Sequence, residues 1–398
     1  MQLAVSAYTA TTALGPGRGA LWRGLECGQT GLTRCDFDGA DLDTWIGRVP
    51  GVEAVILPDA LANWDCRNNR LAELGLQQDG FVDAVERAKS QYEPQRIGLF
   101  LGTSTSGIGA TEAAYAQVEN DHLPDWFDHE RSHNYFSVCG YVRRRLGLAG
   151  PAMAISTACS SSAKVFAAAA RAIAAGYCDA AVVGGVDSLC LTTLYGFNSL
   201  QLVSATPCRP ADAERDGISI GEAAGYALIT PVPDGAQPDP EQPAVLGWGE
   251  SGDAWHMASP APQGEGAELA MQRALTRAGL RAADIDYINL HGTATRANDL
   301  SEAKAITRLF GTDTPVSSTK GWTGHTLGAA GIVETVIGWL ALANATLPKS
   351  LNTHAVDTDI AARILLDNHN TDVRYAMTNS FGFGGSNCSL ILGSVVPA

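Results

Sequence analysis

The chain has 398 residues, enough to bury a large core as one compact unit or two fused domains, and its 45% hydrophobic content is ordinary for a globular protein. A formal charge of −15 argues against general electrostatic binding to nucleic acid or to an anionic membrane. No C-x-x-C pair occurs among the nine cysteines, so spacing offers neither a metal site nor a redox dithiol, and a disulfide-free cytoplasmic protein is the expectation.

The first six residues lack the basic segment that opens a secretory signal and read as a first strand. Residues 96–102 (RIGLFLG) read as a buried strand and 152–156 as another. A small-residue helix over 161–175 and a strand over 180–186 follow. A Pro-rich stretch, 231–243, divides the chain into segments 1–243 and 244–398, near two ordinary domain sizes. Beyond it come a helix over 267–278, a strand over 284–290, a helix over 300–310 and a strand over 315–318. A helix over 328–345 and a strand over 389–392 complete the series. Strand–helix alternation of this kind predicts an α/β fold with mostly buried sheets, a pattern that also suits a nucleotide-binding enzyme. The most apolar stretches, 165–186 and 332–347, are interrupted by Arg171 and Asp179, and by Glu334, so neither reads as a membrane span.

Four segments carry candidate chemistry. Cys159, in T-A-C-S-S-S, sits where a strand ends and a helix begins. The positive end of a helix dipole and nearby N–H groups favour a thiolate there, although a buried apolar thiol is the ordinary state of a cysteine. His291, in H-G-T-A-T, ends an apolar strand and is well placed on a cleft rim, or is a structural histidine; Thr293 and Thr295 bind an amide-rich arm or cap the turn. Lys320 and His325 lie five residues apart between a strand end and a helix, and Gly328-Ala329-Ala330-Gly331 lets that helix approach a neighbouring backbone closely. The glycine-rich run 381–387 (FGFGGSN) is not G-x-G-x-x-G and precedes a strand, so it reads as an aromatic hinge or a plain turn rather than a phosphate cradle.

In this order the four segments resemble the β-ketoacyl-[acyl carrier protein] synthases of the elongating class, which carry T-A-C-S/T-S, H-G-T-x-T-x-x-x-D, S-x-K-x-x-x-G-H-x-x-G-A-A-G and S-F-G-F-G-G-x-N. The likeness extends through 209–225 and 253–260, covering the chain from about Arg96 onward. It implies a thiolase-like fold of two similar α/β halves in five layers, dimerising across an edge strand near the nucleophile. It also implies a decarboxylative Claisen condensation. Cys159 takes an acyl group from an acyl carrier protein, a malonyl-carrier thioester loses CO₂, and the resulting carbanion attacks the acyl-Cys159 carbonyl. His291 and His325 would donate to the enolate oxygen, and the N–H groups of Cys159 and Phe383 would form a second oxyanion hole. Lys320, paired with Glu302, would orient the histidines; Thr293 and Thr295 would bind the phosphopantetheine arm, and Phe383 would gate the pocket. No cofactor of its own is implied, because phosphopantetheine belongs to the carrier.

Ile218 stands where many relatives have Phe, and Ile108 is expected near the acyl pocket floor, so pocket shape departs from the family's pattern. Within the family the chain is similar to condensing enzymes of aryl polyene pathways. Arg67 and Arg70, with Arg131 as a third, are the expected docking residues for an acidic carrier, or else ordinary surface charge. Residues 197–204 lack the basic residue common in relatives, so the dimer is expected to be homomeric or to include a related subunit that helps present the carrier. Three rivals stand against this reading. A degradative thiolase would place a second cysteine in the 381–387 loop, whereas Cys388 lies beyond it; an initiating enzyme would have Asn in place of His325; a non-catalytic chain-length subunit would lack Cys159.

Overall fold

The computed structural model describes residues 1–233, 235–237 and 239–395. In the first half of the chain the main strands are β1 (Leu3–Thr11), β2 (Ile97–Gly102), β3 (Ala152–Ile155), β4 (Ala180–Asp187) and β5 (Ala223–Pro231). In the second half they are β6 (Asp239–Gly252), β7 (Tyr287–Asn289), β8 (Pro315–Ser317), β9 (Ala376–Gly382) and β10 (Ser386–Val395). The first five lie in the order β1-β5-β4-β2-β3 and the second five in the order β6-β10-β9-β7-β8. Position by position the two orders are the same, and so are the directions: two antiparallel pairings, then two parallel ones. The halves meet where Leu3 and Ala4 of β1 pair with Val245 and Ala244 of β6.

Apolar residues alternate along these strands, so each sheet has two faces to cover. In β2, Leu99 and Leu101 face an outer core with α1 (Arg67–Leu76), α2 (Phe81–Lys89) and α3 (Ser137–Arg145). Phe100 faces a central core with α4 (Ser161–Ala174). Ile288, Met377 and Ile391 of the other sheet face a third core with α5 (Glu265–Ala278) and α6 (Arg296–Phe310). Its opposite face meets α7 (Ala330–Asn344), which packs against α4. The result is helices, sheet, paired helices, sheet, helices: the five-layered α/β arrangement that the sequence implied.

The α4–α7 contact explains the small residues ahead of α7. A Cβ at Gly331 would stand 2.4 Å from the Ala163 nitrogen, so only glycine lets the two central helices meet. The apolar stretch Leu327–Asn344, long enough to span a bilayer, is 83% buried in this core.

The elements match the sequence reading with two revisions. The predicted strand over 284–290 is reduced to Tyr287–Asn289, because Ala282–Asp284 close a 3₁₀ turn. The Pro-rich stretch, read as the divide at 243/244, already holds the start of β6 at Asp239, after Pro231 ends β5. Asp234 and Pro238 of that stretch lie outside the described residues.

Candidate active site

Between the end of β3 and the start of α4 the chain turns sharply, with Ala158 held at φ +52°. That turn sets Cys159 at the foot of α4, buried but lining a cleft. β7 ends just before His291, whose backbone N–H donates to Glu302 of α6 at 2.9 Å; the Gly292 N–H donates to the same carboxylate at 2.8 Å. A helical turn at Lys320–Thr323 presents Lys320 and leads into His325, whose backbone bonds to Ser219 and Gly221. The structure therefore brings Cys159, His291, Lys320 and His325 together from three separate segments.

His325 Nε2 lies 3.1 Å from Cys159 Sγ. Its Nδ1 accepts the Leu327 N–H at 3.2 Å, which puts the ring proton on Nε2, facing the sulfur. The His291 ring stands 5.3 Å from that of His325, nearly perpendicular to it. The Lys320 ammonium lies 3.4 Å from His291 Nδ1, so His291 also carries its proton on Nε2. Burial, reinforced by the Lys320 charge, holds both imidazoles well below the usual histidine range, and they are neutral. Two neutral rings offering N–H toward one point suit a developing oxyanion. The Cys159, His291 and His325 donor atoms all lie within 4.8 Å of one another, a spacing a metal ion could use. The tautomers oppose it, because Nε2 of each ring holds a proton instead of a free lone pair.

Burial pushes the Cys159 thiol up to about 11, against the pull of Lys320 and of the Phe383 and Cys159 N–H groups. This revises the expectation of a standing thiolate: desolvation outweighs the helix terminus. Both N–H groups nonetheless point at the sulfur, where an acyl oxygen would develop charge. Phe383 lines the cleft and packs on Phe197 at 5.5 Å. Gly382 is fixed by the nucleophile turn itself, since a Cβ there would stand 2.7 Å from the Thr157 carbonyl oxygen.

The Lys320 partner differs from the expected one. Its ammonium bonds to Glu334 of α7 and to the His291 carbonyl oxygen, not to Glu302. Glu302 is committed to the His291 and Gly292 N–H groups and to Asn379 Nδ2 at 3.1 Å. α6 lies on the outer face of the sheet, whereas α7 runs through the centre, so only α7 delivers a carboxylate to a lysine inside the site. Burial raises Glu334 to about 7, against the pull of Lys320.

Thr293, Thr295 and Ile218 line the cleft as expected. Ile108 is not among the lining residues of this cleft: it heads the helix Ile108–Tyr115, which packs on Leu191–Ser199, the helix that carries the lining residue Phe197. The proposed docking cations are engaged. Arg67 clasps buried Glu222 at 3.0 and 2.6 Å and also meets Glu53; Arg70 pairs with Asp65, and Arg131 with Asp128. Glu222 requires that clasp, because an unpaired carboxylate in the core is costly.

One supporting residue escaped the sequence reading. Asp187, fully buried at the end of β4, accepts from Thr103 Oγ1 at 2.7 Å and from the N–H groups of Ser104, Thr105 and Gly328 at 2.8, 3.0 and 2.6 Å. It ties the loop after β2 to the turn that starts α7. An acid closing an apolar strand was the available signal.

Residues 2–234 match the N-terminal domain of beta-ketoacyl synthase and residues 244–354 its C-terminal domain. The chain is 38% identical over 329 residues to a 3-oxoacyl-[acyl-carrier-protein] synthase 2 of Rhizobium meliloti, covering 78% of this chain and 77% of the relative. It is 33% identical to the Vibrio cholerae protein of the same name, with 93% of each covered. Among solved structures, a ketosynthase (ApeO) in complex with its chain length factor (ApeC) from Xenorhabdus doucetiae superposes with a TM-score of 0.87. That match has 37% identity and covers 99% of this chain and 98% of the other. A beta-ketoacyl synthase from Burkholderia phymatum gives 0.86 at 27% identity, covering 99% and 100%.

Proposed function

The chain belongs to the β-ketoacyl synthase family, and on that premise we propose that it condenses an acyl group held on Cys159 with a malonyl thioester delivered by an acyl carrier protein. The observation that carries the reading is the Cys159 Sγ–His325 Nε2 contact at 3.1 Å, with the ring proton on the sulfur side. In the first half-reaction Cys159 sulfur attacks the acyl thioester carbonyl. The tetrahedral oxygen takes the N–H bonds of Cys159 and Phe383, and the carrier thiol leaves with the cysteine proton. In the second, malonyl-carrier loses CO₂. The enolate oxygen is held by the Nε2–H groups of His291 and His325, and the enolate carbon attacks the acyl carbonyl. Cys159 thiolate leaves, and the product is a 3-oxoacyl-carrier thioester. Lys320 acts as a positioning residue, fixing the His291 tautomer. Phosphopantetheine enters on the carrier, and the chain needs no cofactor of its own for these steps.

A paired subunit and a cytoplasmic setting belong to the same proposal. β3 is an edge strand with Met153 47% exposed, and Tyr115, Trp126, Tyr135 and Phe136 are exposed on neighbouring segments of the chain. An apolar edge of this kind fits a second subunit. The ApeO–ApeC complex supports a chain-length-factor-like partner, and service in an aryl polyene or related pathway rests on the sequence resemblance. Burial of Leu327–Asn344 makes it a core helix rather than a membrane span, and the cytoplasmic setting rests on the disulfide-free reading of the cysteines.

Intact-mass analysis with a panel of acyl-carrier thioesters tests the reaction. A mass increment lost in Cys159→Ala is expected, with acylation retained but malonyl decarboxylation lost in His325→Ala. No increment with any thioester, or normal CO₂ release in His325→Ala, would overturn it.

A further inference from the structure

The cleft that holds Cys159 is lined by two guanidinium groups, Arg215 and Arg296, and by the carboxylates Asp216 and Asp253. Both acids are engaged, Asp216 by Ser204 Oγ at 2.5 Å and Asp253 by Asn387 Nδ2 at 2.6 Å. Arg215 is buried. Its Nη1 donates to the Asp212 carbonyl and to Asp357 at 2.7 and 2.6 Å, and its Nε lies 3.4 Å from Asp299. Its Nη2 has no hydrogen-bond partner among the described residues. An uncommitted buried donor therefore remains in this wall of the cleft, while the Arg215 charge itself is met by Asp357 and Asp299.

Arg296 shares the wall, since its Nη2 meets the Ala213 carbonyl oxygen at 3.4 Å. It is exposed, and among the described residues no carboxylate lies within salt-bridge reach of it. Asp357 feels the Arg296 charge but is already occupied by Arg215. Arg296 is also the first residue of α6, whose N-terminus adds its own positive end. Arg67, Arg70 and Arg131 are all engaged by carboxylates. In a chain of formal charge −15, an anion entering this cleft therefore meets its unpaired cation at Arg296.

We infer that Arg296 receives the phosphodiester of the carrier's phosphopantetheine arm, with the uncommitted Nη2 donor of Arg215 in the wall behind it. This rests on the ketosynthase reading above. Thr293 and Thr295, whose hydroxyls lie 2.9 Å apart on the same lining, would take the amide-rich part of the arm. The phosphate, rather than the carrier's protein surface, is then what Arg296 recognises.

Acylation of Cys159 is measured by intact mass for acyl-pantetheine, acyl-phosphopantetheine and acyl-carrier protein. In the wild type, the phosphorylated arm is expected to react at lower concentration than acyl-pantetheine. Arg296→Ala is expected to raise the KM for acyl-phosphopantetheine and acyl-carrier alike by about tenfold, the loss of one charge-assisted contact, and to leave acyl-pantetheine within twofold. Arg296→Lys should recover part of the loss. A wild type that does not distinguish the two arms would overturn the inference while leaving the ketosynthase reading intact. So would an Arg296→Ala defect confined to the intact carrier, which would assign the arginine to the protein surface. A wild type that accepts no acyl group from any of the three would defeat the underlying reading itself.

Discussion

Removing Glu334 from beneath Lys320 probes both the site's electrostatics and its positioning. Lys320 and Glu334 are 1% and 3% exposed, and the ammonium keeps only the His291 carbonyl and ring once Glu334 becomes Leu. Taking one partner from a buried pair leaves an uncompensated charge, and Glu334→Leu should cost about 3–5 kcal/mol of stability. Removing both, as Lys320→Met with Glu334→Leu, should cost far less, since the charge leaves with its partner. The coupling energy between the two positions is thus expected at about 3 kcal/mol, a factor of roughly 150 in an equilibrium constant. Glu302 shares only the His291 segment with Lys320, so the matching cycle with Glu302→Gln should return about 1 kcal/mol or less. Urea unfolding followed by the fluorescence of buried Trp322 and Trp339 reads both cycles. A coupling to Glu302 as large as that to Glu334 would refute the pairing, and with it the argument that α7 carries the counter-charge.

Further expectations concern pH and packing. Because burial keeps His291 and His325 neutral well below the ordinary histidine range, neither ring should contribute an inflection to malonyl decarboxylation as pH falls from 8 to 6. A change near 7 should follow Glu334, which burial raises to about 7, and should be absent in Glu334→Gln. A loss with an inflection near the free-imidazole value of about 6.5 that persists in Glu334→Gln would refute the neutrality of the two rings. The Cys159 thiol sits at about 11, so its alkylation by iodoacetamide should climb steadily from pH 7 to 10; a plateau by pH 8 would mean that the helix terminus overcomes burial after all. Gly382→Ala should slow Cys159 acylation at least tenfold in a folded protein. The new Cβ would press on the Thr157 carbonyl 2.7 Å away and displace the nucleophile turn, so an unchanged acylation rate would contradict that contact.

What the sequence by itself determined was local and ordered. Strand–helix alternation is written in side-chain periodicity, which depends only on neighbours along the chain. The strand-to-helix turn at Cys159, the post-strand histidine at 291, the Lys320–His325 spacing and the glycine-rich loop could each be read in place, and their order carried the resemblance. Tertiary structure alone decided which groups meet. Glu302 was the expected partner for Lys320, and Glu334 took that place because its helix occupies the central layer. Arg67 looked like a free surface cation until Glu222, 155 residues away, claimed it in the core. Ile108 was expected near the acyl pocket floor, and the structure sets it one helix behind the cleft lining, on a helix that packs on Leu191–Ser199. The matching strand orders of the two halves left no sequence repeat, because burial constrains residue class and period rather than identity. Charge pairing and desolvation are set by long-range contacts between layers. For that reason the thiol of Cys159 is neutral at rest, where its helix terminus alone pointed to a thiolate.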